Sequence, residues 1–292
     1  MKISHHFPDR AAKLTMSICA TSSILILAAI AIFIFFQGLP TFQEVSIFDF
    51  IFGSEWRPTY GKYGILPMIV GSTAVTVGSL LLAVPLGIAC AILLAEVTPP
   101  QVRQILRPAV ELLVGIPSVV YGLVGLILLV PAVRQIGGNG LSILTACIVL
   151  MAMVLPTIIS ISDDSIRAVP RAYKEGALAL GATHWQTISR VLLPSARSGI
   201  IASIVLGMGR AVGETMAMIM VIGNSIAFPK SPLDPARTLT GNIAVEINYA
   251  SGTHENALFA TGIVLLVFIV VLNSITTIVL RRGIHKYAEH LT

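Results

Sequence analysis

Charge is what this chain has least of. Of its 292 residues, 11% are Asp, Glu, Lys or Arg and 55% are hydrophobic. Its mean hydropathy is +0.88. A soluble domain carries roughly 25% charged residues, so this chain lacks the polar surface to cover itself in water. Cysteine is scarce too, and Cys19, Cys90 and Cys147 all lie in apolar runs. An odd number without paired spacing excludes a disulfide framework and a thiolate metal site. The three read as small, buried apolar residues. The sequence contains no G-x-x-x-x-G-K-S/T stretch, so the chain has no phosphate-cradling loop of its own for ATP. Gly207, Gly209 and Gly213 miss the dinucleotide-binding spacing by one residue. Gly209 and Gly213 read instead as a small-residue face for close helix packing. There is no His-Glu zinc motif and no plausible catalytic triad, and His184, His254 and His285 read as solvated or interfacial. These absences exclude an enzyme acting alone.

What the chain does have is long apolar runs. A helix needs about 20 apolar residues to cross a bilayer core. Six stretches qualify: Leu14–Phe36, Ile65–Ala95, Leu112–Val133, Leu141–Ile161, Gly199–Ala227 and Ala257–Leu280. The first exceeds the apolar core of a secretory leader and has no small-residue cleavage site after it, so it is expected to be a span. The expected fold class is therefore all-α, a polytopic membrane protein with six transmembrane helices. Its expected division is a tail over 1–13, a first span with an external segment over 14–63, a core over 64–280, and a second tail over 281–292.

Basic residues orient the spans. Thirteen lie on one side: Lys2, Arg10, Lys13, Arg103, Arg107, Arg167, Arg171, Lys174, Arg190, Arg197, Arg281, Arg282 and Lys286. Five lie on the other: Arg57, Lys62, Arg134, Lys230 and Arg237. Both termini are thus expected in the cytoplasm. The net charge of +5 is a topology signal rather than a nucleic-acid footprint. The external stretch Gln37–Tyr63 is too apolar for a loose linker. With Phe42, Phe48, Phe50, Phe52 and Trp56, part of it is expected to lie in the interface as a short helix. Gly137 to Gly140 predicts a tight turn, and the prolines after Phe228 predict an irregular loop.

The longest cytoplasmic loop is expected over 162–198. After Pro170, a good first-turn residue, Arg171–Leu180 predicts a short amphipathic helix that Gly181 breaks. Thr183 and Gln186 have capping-box spacing, so a second helix is expected there, limited near its end by Pro194. In the fifth span Arg210 and Glu214 stand at i, i+4, a spacing that allows them to pair on one helix face. Intramembrane charges mark functional sites by default. A guanidinium suits a tetrahedral oxyanion, and Glu214 would temper its hold so that the ion can leave. Ser118 and Tyr121, beside Pro117, offer hydroxyls to the same path or simply mark a packed helix break. Asn273 in the sixth span is expected to hydrogen-bond between helices.

Glu175-Gly176-Ala177, then Gly181 after three residues, and Leu193-Pro194 after Val191, resemble the EAA signature of ABC-importer permeases, E-A-A-x3-G-x9-I-x-L-P. Gly176 and Val191 depart from it by small or β-branched substitutions. Trp56-Arg57-Pro58, Gly64 to Pro67, Gly71 to Thr73, Val84 to Gly87, Gly115 to Ser118 with Tyr121-Gly122, and Gly209 to Thr215 extend the resemblance. Together they look like the PstC type of phosphate ABC transporter permease, over most of the chain. The resemblance implies an ABC type I importer permease fold in the bacterial inner membrane. It implies that Glu175, Gly176, Ala177, Gly181, Leu193 and Pro194 couple the chain to an ATPase, and that the chain forms half of a phosphate pathway. The implied partners are a second permease of PstA type, an ATP-binding subunit dimer of PstB type and an extracytoplasmic phosphate-binding protein of PstS type. This chain would hold no cofactor, with ATP and Mg bound by the ATPase subunit. The alternatives are a permease for sulfate or molybdate, or a self-sufficient secondary transporter. The last would want ion-coupling carboxylates in several spans, and only Glu214 qualifies.

Overall fold

The computed structural model describes the backbone of residues 6–289 and the side chains of residues 12–278. Helix α1 (His6–Gly38) holds the first apolar run. It packs on the last helix, with Phe33 edge-on to Phe259 at 5.6 Å, and the rest of its described side chains are largely exposed. A compact cap follows: α2 (Thr41–Glu44), α3 (Ile47–Phe52) and a hairpin of β1 (Trp56–Arg57) and β2 (Lys62–Tyr63). Lys62 bonds Glu55 at 2.7 Å, which holds that carboxyl below its ordinary range. The cap is more than an interfacial helix. Phe50 and Trp56 are buried among Ile65, Met68 and Leu239, whereas Phe48 and Phe52 face outward.

The core is built on α4 (Leu66–Ile92) and α8 (Ile143–Arg167). Small residues let them touch: a methyl group added at Gly87 would meet Ile158 Cγ2 at 2.7 Å. Apolar lipid gives helices no reason to associate, so close backbone approach and interhelical hydrogen bonds do that work. Helix α4 runs into a π-helical turn, Leu93–Val97. Helix α5 (Pro100–Val114) then ends at a 94° bend before α6 (Ser118–Val124). Pro117 is extended there, with ψ 139°. Leu112 to Val114 therefore belong to α5, and the expected run Leu112–Val133 is broken at residues 115–117 rather than forming one straight helix. It continues through a second π-helical turn, Gly125–Leu129, into α7 (Val130–Arg134). The tight turn over 137–140 is present, with Gly138 and Gly140 at positive φ.

Helix α8 runs on to Arg167, past the expected loop boundary. After it come α9 (Arg171–Ala179) and α10 (His184–Thr187), the latter with the expected capping box between Thr183 and Gln186. Pro194 does not stop the chain's helical course. Helix α10 passes through a π-helical turn, Ile188–Leu192, into α11 (Leu193–Gly213). The Leu193 N–H reaches the Ile188 carbonyl, one residue further than in an α-helix. This wider turn accommodates a proline, which lacks an N–H and would otherwise crowd the carbonyl four residues back. All three π-helical turns end two residues before a proline: Pro99, Pro131 and Pro194.

The fifth apolar run is broken. Helix α11 ends at Gly213, Glu214 is extended, and α12 (Met216–Val221) starts afresh. Irregular loop leads through Pro229, Pro232 and Pro235 to α13 (Leu239–Glu246) and to α14 (Thr253–Glu289). Among the described residues, five helices are long and apolar enough to cross a membrane, and the bent pair α5 with Ser118–Arg134 makes a sixth candidate. Further expectations need correction. Gly209 and Gly213 meet nothing within 4 Å, and it is Gly207 that packs closely, on Val154. Asn273 keeps a buried Oδ1 without a hydrogen-bond partner among the described residues. Of the cysteines only Cys147 is buried, while Cys19 is exposed and Cys90 partly so. The side chain of His285 lies outside the described residues.

Candidate functional site

Two clusters follow from this framework, one at the break in the fifth run and one at the end of the bundle that carries the α9–α10 loop.

At the break, Arg210 occupies the last turn of α11, where its positive charge suits the helix dipole. It is half-buried and makes no ion pair among the described residues. The expected partnership with Glu214 does not form. The chain leaves the helix after Gly213, so the i, i+4 geometry is lost, and Glu214 Oε1 instead accepts the Ala217 N–H at 3.1 Å. The Glu214 carbonyl accepts the Thr240 hydroxyl at 3.2 Å, tying the break to α13. Helix α6 lies against α12 because Gly122 has no side chain: a Cβ there would meet Ala217 Cα at 2.9 Å. The Tyr121 hydroxyl donates to the Leu113 carbonyl at 3.0 Å, which braces the α5–α6 bend. Ser118 sits one turn before Tyr121 on the same face of α6, half-buried. Ser118 and Tyr121 thus stand on a helix packed against α12 just after the break, and Glu214 is turned away from Arg210.

At the loop, Glu175 and Gly176 are exposed on α9, Ala177 is half-buried, and the space beside Gly176 is open. Gly181 closes α9 at φ 85°, a left-handed position that suits glycine. The Ala182 N–H bonds the Ala177 carbonyl at 3.1 Å and the Gly181 N–H bonds that of Leu178 at 3.0 Å. Around this turn Tyr173, Leu178, Leu180 and Trp185 are exposed. Contiguous exposed apolar groups mark an interaction surface. Leu193 is half-buried and Pro194 exposed in the first turn of α11.

Sequence reasoning missed three carboxylates that hold these parts. Glu96 pairs with Lys174 of α9 and lies 3.8 Å from His184 of α10. Asp163, 2% exposed, pairs with Arg103 at 2.8 Å and lies within 4 Å of Arg107 and Arg167. Glu246 accepts from Trp56 Nε1 at 2.8 Å, lies 2.9 Å from His254 Nε2 and pairs with Arg237. His254 is therefore a member of a buried network, not a solvated residue. The available signal was the pair of acidic residues at 163–164, set in an otherwise basic loop region.

A family model described as "Binding-protein-dependent transport system inner membrane component" matches residues 83–284. The chain is 46% identical over 263 residues to the probable ABC transporter permease protein YqgH of Bacillus subtilis (strain 168), covering 87% of this chain and 85% of the relative. It is 32% identical over 302 residues to the phosphate transport system permease protein PstC of Pasteurella multocida (strain Pm70), covering 96% and 94%. Among solved structures it resembles a bacterial ABC transporter involved in the import of alginate, with a TM-score of 0.59 at 18% identity over 94% of this chain and 99% of the other. It also resembles the inward-facing MetNI methionine ABC transporter, with a TM-score of 0.57 at 20% identity over 80% and 99%. The fold is that of an ABC importer permease. By the match over 83–284 and by relatives spanning most of its length, the chain belongs to the inner membrane components of binding-protein-dependent transport systems, as a multi-pass protein of the bacterial inner membrane.

Proposed function

We propose that this chain is a permease subunit of an ABC importer for inorganic phosphate, forming half of the pathway with a second permease. Its energy comes from a separate ATPase dimer that binds ATP and Mg, and its solute from an extracytoplasmic binding protein. The chain itself performs no hydrolysis. The observation that carries the substrate class is Arg210, half-buried at a helix interruption, with no carboxylate paired to it among the described residues. A cation in a membrane protein needs a counter-charge or an aqueous path, and a passing oxyanion supplies the first. Guanidinium offers that oxyanion two parallel donors. Ser118 and Tyr121 line the approach. The names of the PstC relatives support phosphate over other oxyanions.

On the other side of the bilayer, the exposed Glu175–Gly181 turn docks on the ATPase, and both termini share that cytoplasmic side. Movement of the docked loop switches the pathway between its two openings. The test is uptake of labelled phosphate, sulfate and molybdate in a strain deleted for this gene and complemented with it. Phosphate uptake alone is expected to return. Restoration of sulfate or molybdate uptake instead would overturn the assignment, and uptake without any ATPase subunit would make the chain a secondary transporter.

A further inference from the structure

The end of the bundle that carries the α9–α10 loop has a cavity of about 480 Å3. Its lining includes four cations, Arg103, Arg167, Arg171 and Lys174, and two carboxylates, Glu96 and Glu175. A second cavity of about 470 Å3 adjoins it, shares Arg103 and Arg167, and adds Arg107. These volumes fall within the range of small-molecule sites.

The positive groups are unevenly committed. Lys174 is paired with Glu96. Arg107 is paired with Asp164 at 2.8 Å and with Glu111 at 3.0 Å. Arg103 gives one terminal nitrogen to Asp163 at 2.8 Å, but its Nε is buried without an acceptor. Arg167 comes no nearer than 3.9 Å to Asp163. Neither Arg171 nor Glu175 has an ion pair among the described residues. Three guanidinium groups, one from each of α5, α8 and the start of α9, therefore keep donors free around one cavity. A buried donor without an acceptor is costly, and forked guanidinium donors match tetrahedral oxyanions.

We propose that this cavity binds a phosphate group, free or esterified, at the joint between the loop and the helix bundle. It is separate from the Arg210 pathway, so the binding does not depend on which solute is carried. An occupant held by Arg103, Arg167 and Arg171 would tie α9 to α5 and α8. The further effect, a slowing of transport when the joint is occupied, rests on the docking role proposed above for the loop.

The phosphate group could belong to a soluble anion or to a lipid headgroup, and one experiment separates them. The complete complex, carrying Arg210→Leu to remove the pathway site, is placed without nucleotide in nanodiscs of phosphatidylcholine or of phosphatidylglycerol. Bound labelled inorganic phosphate is measured by equilibrium dialysis, with and without Arg167→Gln and Arg171→Gln together. Both arginines are exposed, so the variant is expected to fold. Saturable binding in phosphatidylcholine discs is expected to weaken about tenfold or more in the variant, since two charge-assisted contacts are lost. Equal binding in both lipids makes the occupant a soluble anion. Competition by phosphatidylglycerol makes it a headgroup at the same site. Absence of saturable binding in phosphatidylcholine discs, or equal binding by parent and variant, overturns the proposal.

Discussion

Glu214 stands four residues after Arg210 and turns its carboxylate away from it, onto the Ala217 N–H at 3.1 Å. The acid therefore helps to start α12, and the arginine keeps its charge free. The two residues should respond differently to substitution. Arg210→Leu is expected to abolish phosphate uptake with membrane expression unchanged, and adding Glu214→Leu should not restore it. Arg210→Lys should retain less than wild-type uptake, because an ammonium cannot offer the forked contact. Glu214→Gln keeps an acceptor for Ala217 and should transport. Glu214→Leu should lower the thermal stability of the complex by about 1 kcal/mol, the usual scale of a lost helix cap. Wild-type uptake by Arg210→Leu would reduce the arginine to a scaffold role.

Gly181 has φ 85° and open space beside it. The space tolerates a side chain, whereas the backbone conformation does not: a left-handed position costs an L-residue about 1–2 kcal/mol. Gly181→Leu is expected to keep the subunit inserted and to uncouple ATP hydrolysis from uptake. Gly181→Asn, which visits this region more readily, should be milder. Parallel assays of ATPase activity and transport in proteoliposomes check both. Normal transport by Gly181→Leu would exclude the turn from docking.

Asp163 faces three arginines and is 2% exposed, whereas Asp164 is 58% exposed at its side chain. Removing the buried partner strands Arg103, which is itself mostly covered. Asp163→Asn should destabilise the complex by about 3 kcal/mol, the lower end for a broken buried pair. Asp164→Asn should cost under about 1 kcal/mol, as exposed pairs do. Thermal unfolding in detergent distinguishes the two, and equal effects would mean that the ion pairs around Asp163 carry little of the fold.

Reporter fusions after Arg134 and after Lys230 are expected to show extracytoplasmic activity, and fusions after Arg190 cytoplasmic activity. A cytoplasmic result at Arg134 or Lys230 would invert the placement of every loop.

The apolar runs were legible because a membrane span is a property of composition, and α1, α4 and α8 lie where their hydrophobic residues predict. The capping box at Thr183 and the glycine stop at Gly181 were also local, and both were readable. The interruptions were harder. Gly115 and Pro117 sit inside a continuous apolar run, so the 94° bend is invisible to hydropathy although Pro117 hinted at it. The break at Glu214 has a local part, the cap to Ala217 three residues on, and a distant one, the tie to Thr240 of α13, which no local pattern encodes. Pro194 misled for a different reason: proline ends a regular α-helix, but one widened turn before it lets the helix continue. The acidic anchors Glu96, Asp163 and Glu246 each meet partners on other elements, and separation along the chain hid them.

That widened turn has a mechanical consequence. Because Ile188–Leu192 joins α10 to α11 without interruption, His184–Gly213 is one helix of 30 residues. At 1.5 Å per residue it is about 45 Å long. One end stands beside the Gly181 turn and the other carries Arg210. Were the loop docked as proposed, this helix would serve as a lever arm: a tilt of about 5° at the loop displaces the far end by roughly 4 Å. A displacement of that size exceeds the length of a hydrogen bond, enough to carry the guanidinium from one set of acceptors to another without unwinding any of the helix between them.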